Sequence, residues 1–464
     1  MLDYDLSARG DCSLYDYLYQ QVRDDILRGA IASGQRLPSK RALAQHLGVS
    51  VVTVEAAYAQ LVAEGYVRSR ARSGYFACEV PAGIVPMTGV GADVPSAPAV
   101  DDGADLTSSS AFSGDAARLW ARALRHTLAS EPEEEAFAPA PAQGSLRLRR
   151  AIASHLRATR GLAVDPACVV VGAGAQMLDV MISQLVGIGR EFAVEDPGYV
   201  RLTRIYEACG QLVRHVPLDE QGVRADALGD ADVLHLMPSH QFPTGRVTSI
   251  SRRYELLGWA AARDGRWLVE DDYDCEFRLS GRPVPALLSI DADGSVIYTN
   301  TFSKSLGSAL RLAYMVLPAE LMGRYERELG FYSSTVSSVQ QVTLARILES
   351  GEYERHVARV RKRCRDVRDA LASALRSRAD AERIRIEEAD AGLHAVLAVE
   401  GVRDVDAVVR RATELGIPEG GIVPMRRFLW DEANGFDDGA ARFVVAYDAL
   451  GCGEAGRFAD LRID

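Results

Sequence analysis

The 464-residue sequence predicts a multidomain protein, in which a small helical module closed by a two-stranded hairpin precedes a much larger α/β body. Three observations carry this reading. Residues 80–105 hold four Pro, four Gly, five Ala, five Val and four Asp, with no base and no aromatic, which is the composition of a linker. Behind that stretch, strand-like apolar runs at 168–171, 192–194, 233–237, 267–269 and 296–298 alternate with amphipathic helical segments, the pattern of a parallel or mixed sheet covered by helices. Ahead of it, apolar residues recur at helical spacing between capping residues and glycines. The boundaries read as 1–78 for the module, 79–107 for the linker and 108–464 for the body, with a smaller C-terminal α/β portion from about residue 340. As a flexible coil the linker spans about 28 Å.

Composition and charge exclude several classes. A chain that is 48% hydrophobic and 25% charged is ordinary for a large core. No apolar run approaches the ~18–20 residues of a membrane helix, and the acidic N-terminus lacks the apolar segment of a signal peptide. The seven cysteines are scattered without a Cys-x-x-Cys pair, so free thiols in a reducing cytoplasm are expected, not a disulfide framework or structural zinc. The net charge of −11 opposes nucleic acid as a partner of the whole surface, but the charge is uneven. Residues 1–78 carry nine bases against eight acids, and the bases gather between Arg36 and Arg72, making a locally basic module on an acidic body. Only three of the 53 basic residues are lysines: Lys40, Lys304 and Lys362. Arginine does most of the surface work of lysine but cannot act as an amine nucleophile, so each lysine is a candidate for chemistry.

In the module, Leu14, Leu18, Val22 and Ile26 define one face of a helix over 14–28. Ser39 caps a short helix with Leu43 and Leu47 on one side and Gly48 at its end. Ser50 caps the next, over 51–64, with Val54, Tyr58, Leu61 and Val62 facing inward and Gly65 stopping it. Residues 66–70 and 75–77 read as strands around a turn at 71–74. Through Leu-Pro-Ser-x-Arg, Leu-Gly-Val-Ser-x-x-Thr-Val, Ala-Tyr-x-x-Leu, Glu-Gly-Tyr and Ser-Gly-x-Phe, residues 12–78 resemble the GntR-type winged helix-turn-helix family. The resemblance implies double-stranded promoter DNA as a partner. It places Ser39, Lys40, Arg41, Ser50 and Thr53 near DNA, with a wing of Arg70, Arg72 and Gly74 entering the minor groove. One departure matters: Val51, followed by Val52, stands where the family usually carries arginine. An arginine–guanine contact is lost there, and a thymine methyl becomes a possible contact instead.

In the body, a strand over 296–298 leads into Asn300-Thr301-Phe302-Ser303-Lys304-Ser305-Leu306-Gly307, with Arg311 seven residues past the lysine. A desolvated lysine loses its proton more readily and can form a Schiff base. The Thr301 and Ser303 hydroxyls with Arg311 suit a phosphate dianion. Another strand ends in Glu270-Asp271-Asp272-Tyr273, a carboxylate and a phenol suited to a pyridine nitrogen and a ring oxygen. The acids at 270, 271, 272, 274 and 276 also admit a metal cluster, but no further oxygen-ligand motif accompanies them and no metal is expected. Gly172-Ala173-Gly174-Ala175-Gln176 follows a strand and opens a helix, a backbone cradle for phosphate. Tyr199, after Glu195-Asp196-Pro197-Gly198, is placed to stack on a ring, and Arg442 offers a guanidinium for a carboxylate.

In this order and spacing, residues 106–464 resemble the fold-type I pyridoxal-phosphate (PLP) aminotransferases, with a large mixed-sheet α/β domain and a small C-terminal α/β domain. The resemblance implies that Lys304 carries PLP as an internal aldimine, Asp271 pairs with the pyridine nitrogen and Tyr273 bonds the ring oxygen. It gives the phosphate to Ala175, Gln176, Thr301, Ser303 and Arg311, the ring face to Tyr199, and an effector's carboxylate to Arg442 and, secondly, Arg201. Phe242 stands where aminotransferases often carry an asparagine before Pro-Thr-Gly, leaving Gln241 or His240 to substitute. The two halves together, with Ser-His-Gln-Phe-Pro-Thr-Gly and Glu-Asp-Asp-Tyr-Asp, resemble the MocR subfamily of GntR transcription regulators. That implies a cytoplasmic homodimer with domain-swapped readers, sensing a small amino compound, or PLP itself, at Lys304. The alternative is a working aminotransferase with an accessory winged helix.

Overall fold

The computed structural model describes residues 2–10, 12–80, 113–281, 284–436 and 438–463. From residue 81 onward, the expected linker lies outside them. The described residues fall into two compact units, one on either side of residue 100.

The N-terminal unit consists of helices α1 (Leu14–Leu27), α2 (Lys40–Leu47) and α3 (Val51–Ala63), followed by antiparallel strands β1 (Val67–Arg70) and β2 (Gly74–Ala77). Each helix starts where a serine hydroxyl can accept from an otherwise unsatisfied backbone N–H. Ser13 accepts from Asp16, Ser39 from Ala42 and Ser50 from Thr53. Gly48 ends α2 in the left-handed conformation, at φ 65°. Leu18, Val22, Leu43, Val54, Tyr58 and Leu61 form the core. Val62, expected to face inward, is exposed, because the inward stripe of α3 runs 54–58–61 and leaves 62 beyond its edge.

The second unit is built on an eight-stranded sheet, and its fully buried strands explain why the sequence shows continuous apolar runs there instead of alternation. The strands are β3 (Val169–Gly172), β4 (Glu191–Asp196), β5 (Leu212–Asp219), β6 (Gly222–Val223), β7 (Val233–Leu236), β8 (Trp267–Asp271), β9 (Val296–Thr301) and β10 (Ala313–Val316). Their order is β3-β10-β9-β8-β7-β4-β5-β6. The run from β9 to β5 is parallel, and β10 is antiparallel to both β3 and β9, so the sheet is mixed. A second, antiparallel sheet, β11 (Ile384–Glu387), β12 (His394–Glu400), β13 (Ile422–Pro424) and β14 (Ala440–Ala446), has the order β11-β12-β14-β13.

The C-terminal ends of the parallel strands are where open α/β sheets place their ligands. Here they are braced by buried polar groups. Asp272 takes a salt bridge from Arg160 at 2.7 Å and a hydrogen bond from Tyr298 Oη at 2.7 Å. Glu270 accepts from the backbone of Leu287 and Leu288. Asp196, at the end of β4, accepts from Trp430 N, Asp431 N and Asn434 Nδ2, tying the large sheet to the C-terminal region. Among the described residues, no helix is long and apolar enough to cross a membrane.

Two predictions follow from this packing. Arg160→Leu leaves Asp272 charged and buried, which costs about 3–5 kcal/mol, so the melting temperature of the variant should fall sharply. His155 lies 3.0 Å from Glu354 and 4.0 Å from Glu276. Burial opposes charge on its ring, but the two carboxylates outweigh burial and raise its pKa from 6.5 to about 9. Its stabilisation is complete below pH 6.5 and lost as pH rises through about 9. His155→Gln should therefore flatten the decline of melting temperature across that window, a contribution on the order of 2–3 kcal/mol.

Candidate functional site

A cavity of about 300 Å³ opens in the second unit, lined by Ala175, Gln176, Tyr199, Asp271, Tyr273, Thr301, Ser303, Lys304 and Arg311, with Arg201 also in its wall. Every residue that sequence reasoning assigned to PLP thus lines one cavity. Strand ends and the turns after them deliver these side chains: Asp271 ends β8, Thr301 ends β9, and Lys304 lies in the helical turn Ser303–Leu306 that follows.

One end of the cavity is built for an anion. The helix Ala175–Val186 begins after Gly174, which has no side chain to cap it, so its first N–H groups are available to a ligand. Gly174 sits at φ +86°, and a Cβ there would lie 2.5 Å from the Arg311 guanidinium. Glycine lets that guanidinium lie against the backbone, where Arg311 donates to Gln176 Oε1 at 3.3 Å. Arg311 itself adopts φ 49°. Thr301 Oγ1 donates to Ser303 Oγ at 2.9 Å and accepts from Ser303 N at 3.1 Å, orienting the two hydroxyls as a pair.

A different chemistry occupies the other end. Asp271 Oδ1 is buried without a hydrogen-bond partner among the described residues, and Oδ2 lies 3.8 Å from His235 Nε2. A buried carboxylate oxygen left open in this way suits a protonated ring nitrogen. His235 Nδ1 is hydrogen-bonded to Tyr206 Oη at 2.7 Å. Burial opposes charge on His235, but Asp271, Asp179 and Glu195 outweigh it and raise its pKa. Burial in turn lifts Asp179 and Glu195 to about 7. Tyr273 is pushed well above the usual phenol value, by burial first and then by Asp274 and Asp271, so it stays a donor. Its hydroxyl is 3.2 Å from His240 Nδ1, which lies 2.8 Å from Asp274 Oδ2.

Several expectations need correction or refinement. Arg442 is not in the cavity wall. Its guanidinium is held by Glu387 at 3.0 Å and Asp438 at 2.8 Å and stacks 3.8 Å from the Phe436 ring centre. Two carboxylates already answer its charge, which leaves none for an effector's carboxylate. Neither Gln241 nor His240 takes the asparagine's place in the wall. Gln241 is spent bracing its own loop against Pro197 O, Phe242 O and Thr244 N. His240 stands behind Tyr273. Phe242 itself lines the cavity, with its ring edge-on to Tyr199, 6.3 Å between centres. The acids read as a possible metal cluster are dispersed onto separate partners: Glu270 onto backbone, Asp272 onto Arg160 and Asp274 onto His240. Sequence reasoning missed Asp179 and His235. Asp179 stands one helical turn past Ala175, a spacing that puts both on one face, and His235 is the one polar residue in Val-Leu-His-Leu.

In the N-terminal unit, Ser39, Arg41, Ser50, Arg70 and Arg72 are exposed, and Lys40, Thr53 and Gly74 are partly so. Lys40 Nζ is paired with Glu55 at 2.5 Å. Arg72 turns the hairpin at φ 61°, and the Arg70 guanidinium covers Phe76 at 5.1 Å.

Comparison with known proteins agrees with both halves. Residues 14–76 match the family described as bacterial regulatory proteins, gntR family, and residues 108–411 match aminotransferase class I and II. The HTH-type transcriptional regulator YhdI of Bacillus subtilis is 35% identical, over 89% of this chain and 88% of that protein. The probable rhizopine catabolism regulatory protein MocR of Rhizobium meliloti is 31% identical, over 89% of this chain and 87% of that protein. Among solved structures, the multiple substrate aminotransferase of Thermococcus profundus superposes with a TM-score of 0.62 at 20% identity, over 78% of this chain and 92% of that one, a likeness of fold.

The anion end yields a direct test. Gly174→Ala adds a Cβ where Arg311 now lies and strains a left-handed backbone. Loss of one charge-assisted contact is worth about 1.5–3 kcal/mol, so affinity for pyridoxal phosphate, measured by equilibrium titration, should fall roughly 10- to 100-fold.

Proposed function

Because the chain belongs to the MocR-type transcription regulators, a GntR-family winged helix joined to an aminotransferase-like body, we propose that it holds PLP on Lys304 and changes its grip on promoter DNA when a small amino compound enters the cavity. The observation that carries this reading is the convergence of Lys304, Asp271, Tyr273 and Arg311 on one cavity. When bound, PLP supplies an aldehyde that condenses with primary amines.

The chain's own residues divide the remaining work. Asp271 offers an oxygen with no other partner to a ring N–H. Tyr273, kept protonated, donates to a ring oxygen. The N-terminus of helix Ala175–Val186, with Thr301, Ser303 and Arg311, holds the phosphate. Tyr199 and Phe242 wall the ring. Arg201, which lies in the cavity wall, takes an effector's carboxylate. We place the protein in the cytoplasm as a homodimer with domain-swapped readers. An effector changes DNA binding only through different affinities for two arrangements of the dimer, a coupling of about 5- to 150-fold.

Retention of Lys304, Asp271 and Tyr273 together also favours a second reading, an aminotransferase with an accessory reader. Two experiments separate the readings. Borohydride reduction of the PLP-loaded chain should trap the group on Lys304 and on neither Lys40 nor Lys362, and Lys304→Ala should abolish trapping. Binding to the chain's own upstream DNA, at one stated salt concentration, should then change at least ~5-fold with an amino compound. A change produced by PLP alone would make PLP the signal. Sustained turnover of an amino acid with a keto acid, without any effect on DNA, would favour the enzyme.

A further inference from the structure

Helix α3, the second helix of the helix-turn-helix, contains no lysine and no arginine. Its one charged residue, Glu55, is paired with Lys40 of α2. The exposed cations of the unit lie elsewhere, among them Arg41 on α2 and Arg68, Arg70 and Arg72 on the hairpin. The start of α3 is polar only on paper. Ser50 Oγ accepts from Thr53 N at 3.0 Å and shares a 2.7 Å hydrogen bond with Thr53 Oγ1, so these two hydroxyls are turned toward one another. What the first turn presents outward is a pair of branched apolar side chains, Val51 at 41% exposure and Val52 at 73%.

The second helix of this motif enters the major groove with its N-terminal residues at the base edges. There, guanine, cytosine and adenine offer hydrogen-bonding groups, and thymine alone adds a methyl. A first turn that carries methyls and no cation cannot make the bidentate arginine–guanine contact, and it matches thymine. We propose that Val51 and Val52 are specificity-determining residues that read the 5-methyl groups of thymines in the major groove. The arginines of α2 and the hairpin hold phosphates and carry affinity without sequence preference. This rests on the DNA-reading role of the winged helix.

The test uses the full-length protein and a pool of random DNA duplexes selected at fixed salt. Each thymine of the enriched motif is then replaced, one at a time, by deoxyuridine, which lacks only the methyl. At one or two positions affinity should drop about four-fold, the worth of one buried carbon. Val52→Ala or Val51→Ala should erase the difference between thymine and deoxyuridine at those positions. Both side chains are exposed, so neither change disturbs folding. Arg70→Ala should instead weaken both duplexes equally and lower the salt slope by about one. A motif bound equally with either base, or a difference that survives both valine variants, overturns the proposal alone. Failure to retain any duplex overturns the DNA-reading premise and the proposal with it.

Discussion

Carboxylates buried at the C-terminal ends of parallel strands are the constraint around which the body is organised. β4 ends in Glu195 and Asp196, β8 runs out through Glu270, Asp271 and Asp272, and all but Asp271 are fully buried. An unanswered charge in such a place costs several kcal/mol, so the chain surrounds these groups with donors recruited from far along the sequence. Asp196 draws in the backbone at Trp430 and Asp431, Glu270 draws in Leu287 and Leu288, and Asp272 draws in Arg160. These contacts fix how the C-terminal segment and the crossover segments meet the sheet edge. The cavity opens beside them, where Asp271, Tyr273 and Thr301 leave the ends of β8 and β9.

Asp271 Oδ1, like Glu195 Oε1 and Asp272 Oδ1, has no hydrogen-bond partner among the described residues, but of the three only Asp271 lines the cavity. Its immediate companion is His235, whose charge is favoured by three carboxylates at once and whose other nitrogen is fixed by Tyr206. Burial raises Asp179 and Glu195 themselves to about 7. A carboxyl group held near an imidazole and open on one oxygen offers an acceptor to a donor in the cavity. The same surroundings push Tyr273 the other way and keep its proton in place. Acceptor and donor thus stand side by side with opposite roles, set by what each is buried against.

Much of this was legible in the sequence, and the reasons are local. Helix caps, glycine stops and the turn around Lys304 are written in contiguous residues, so Ser39, Gly48, Ser50 and Thr301 through Arg311 could be read directly. The positions of Asp271, Tyr199 and Ala175 follow because strand ends of a parallel sheet converge on one edge. Pairings between distant segments were not legible. Nothing near Arg442 in sequence announces Glu387 across β12, and nothing near His240 says that Asp274 and Tyr273 will turn it away from the cavity. Val62 failed for a smaller reason, since one residue is a rotation of 100° on a helix, enough to move a side chain from core to solvent.

The loss of Arg442 from the cavity changes what the site can select. Phe242 replaces a polar asparagine at the ring edge, and Leu202, Met237 and Ala309 complete a largely apolar wall. Arg201 also lies in the wall, on the helix Val200–Ala208 that starts right after Tyr199. Tyr199 and Arg201 therefore enter the wall from the cap and first turn of one short helix, whose preceding strand is pinned to the C-terminal region through Asp196. Within the body, the part of the cavity wall at Tyr199 and Arg201 thus follows directly on the strand end that is bonded to the C-terminal region.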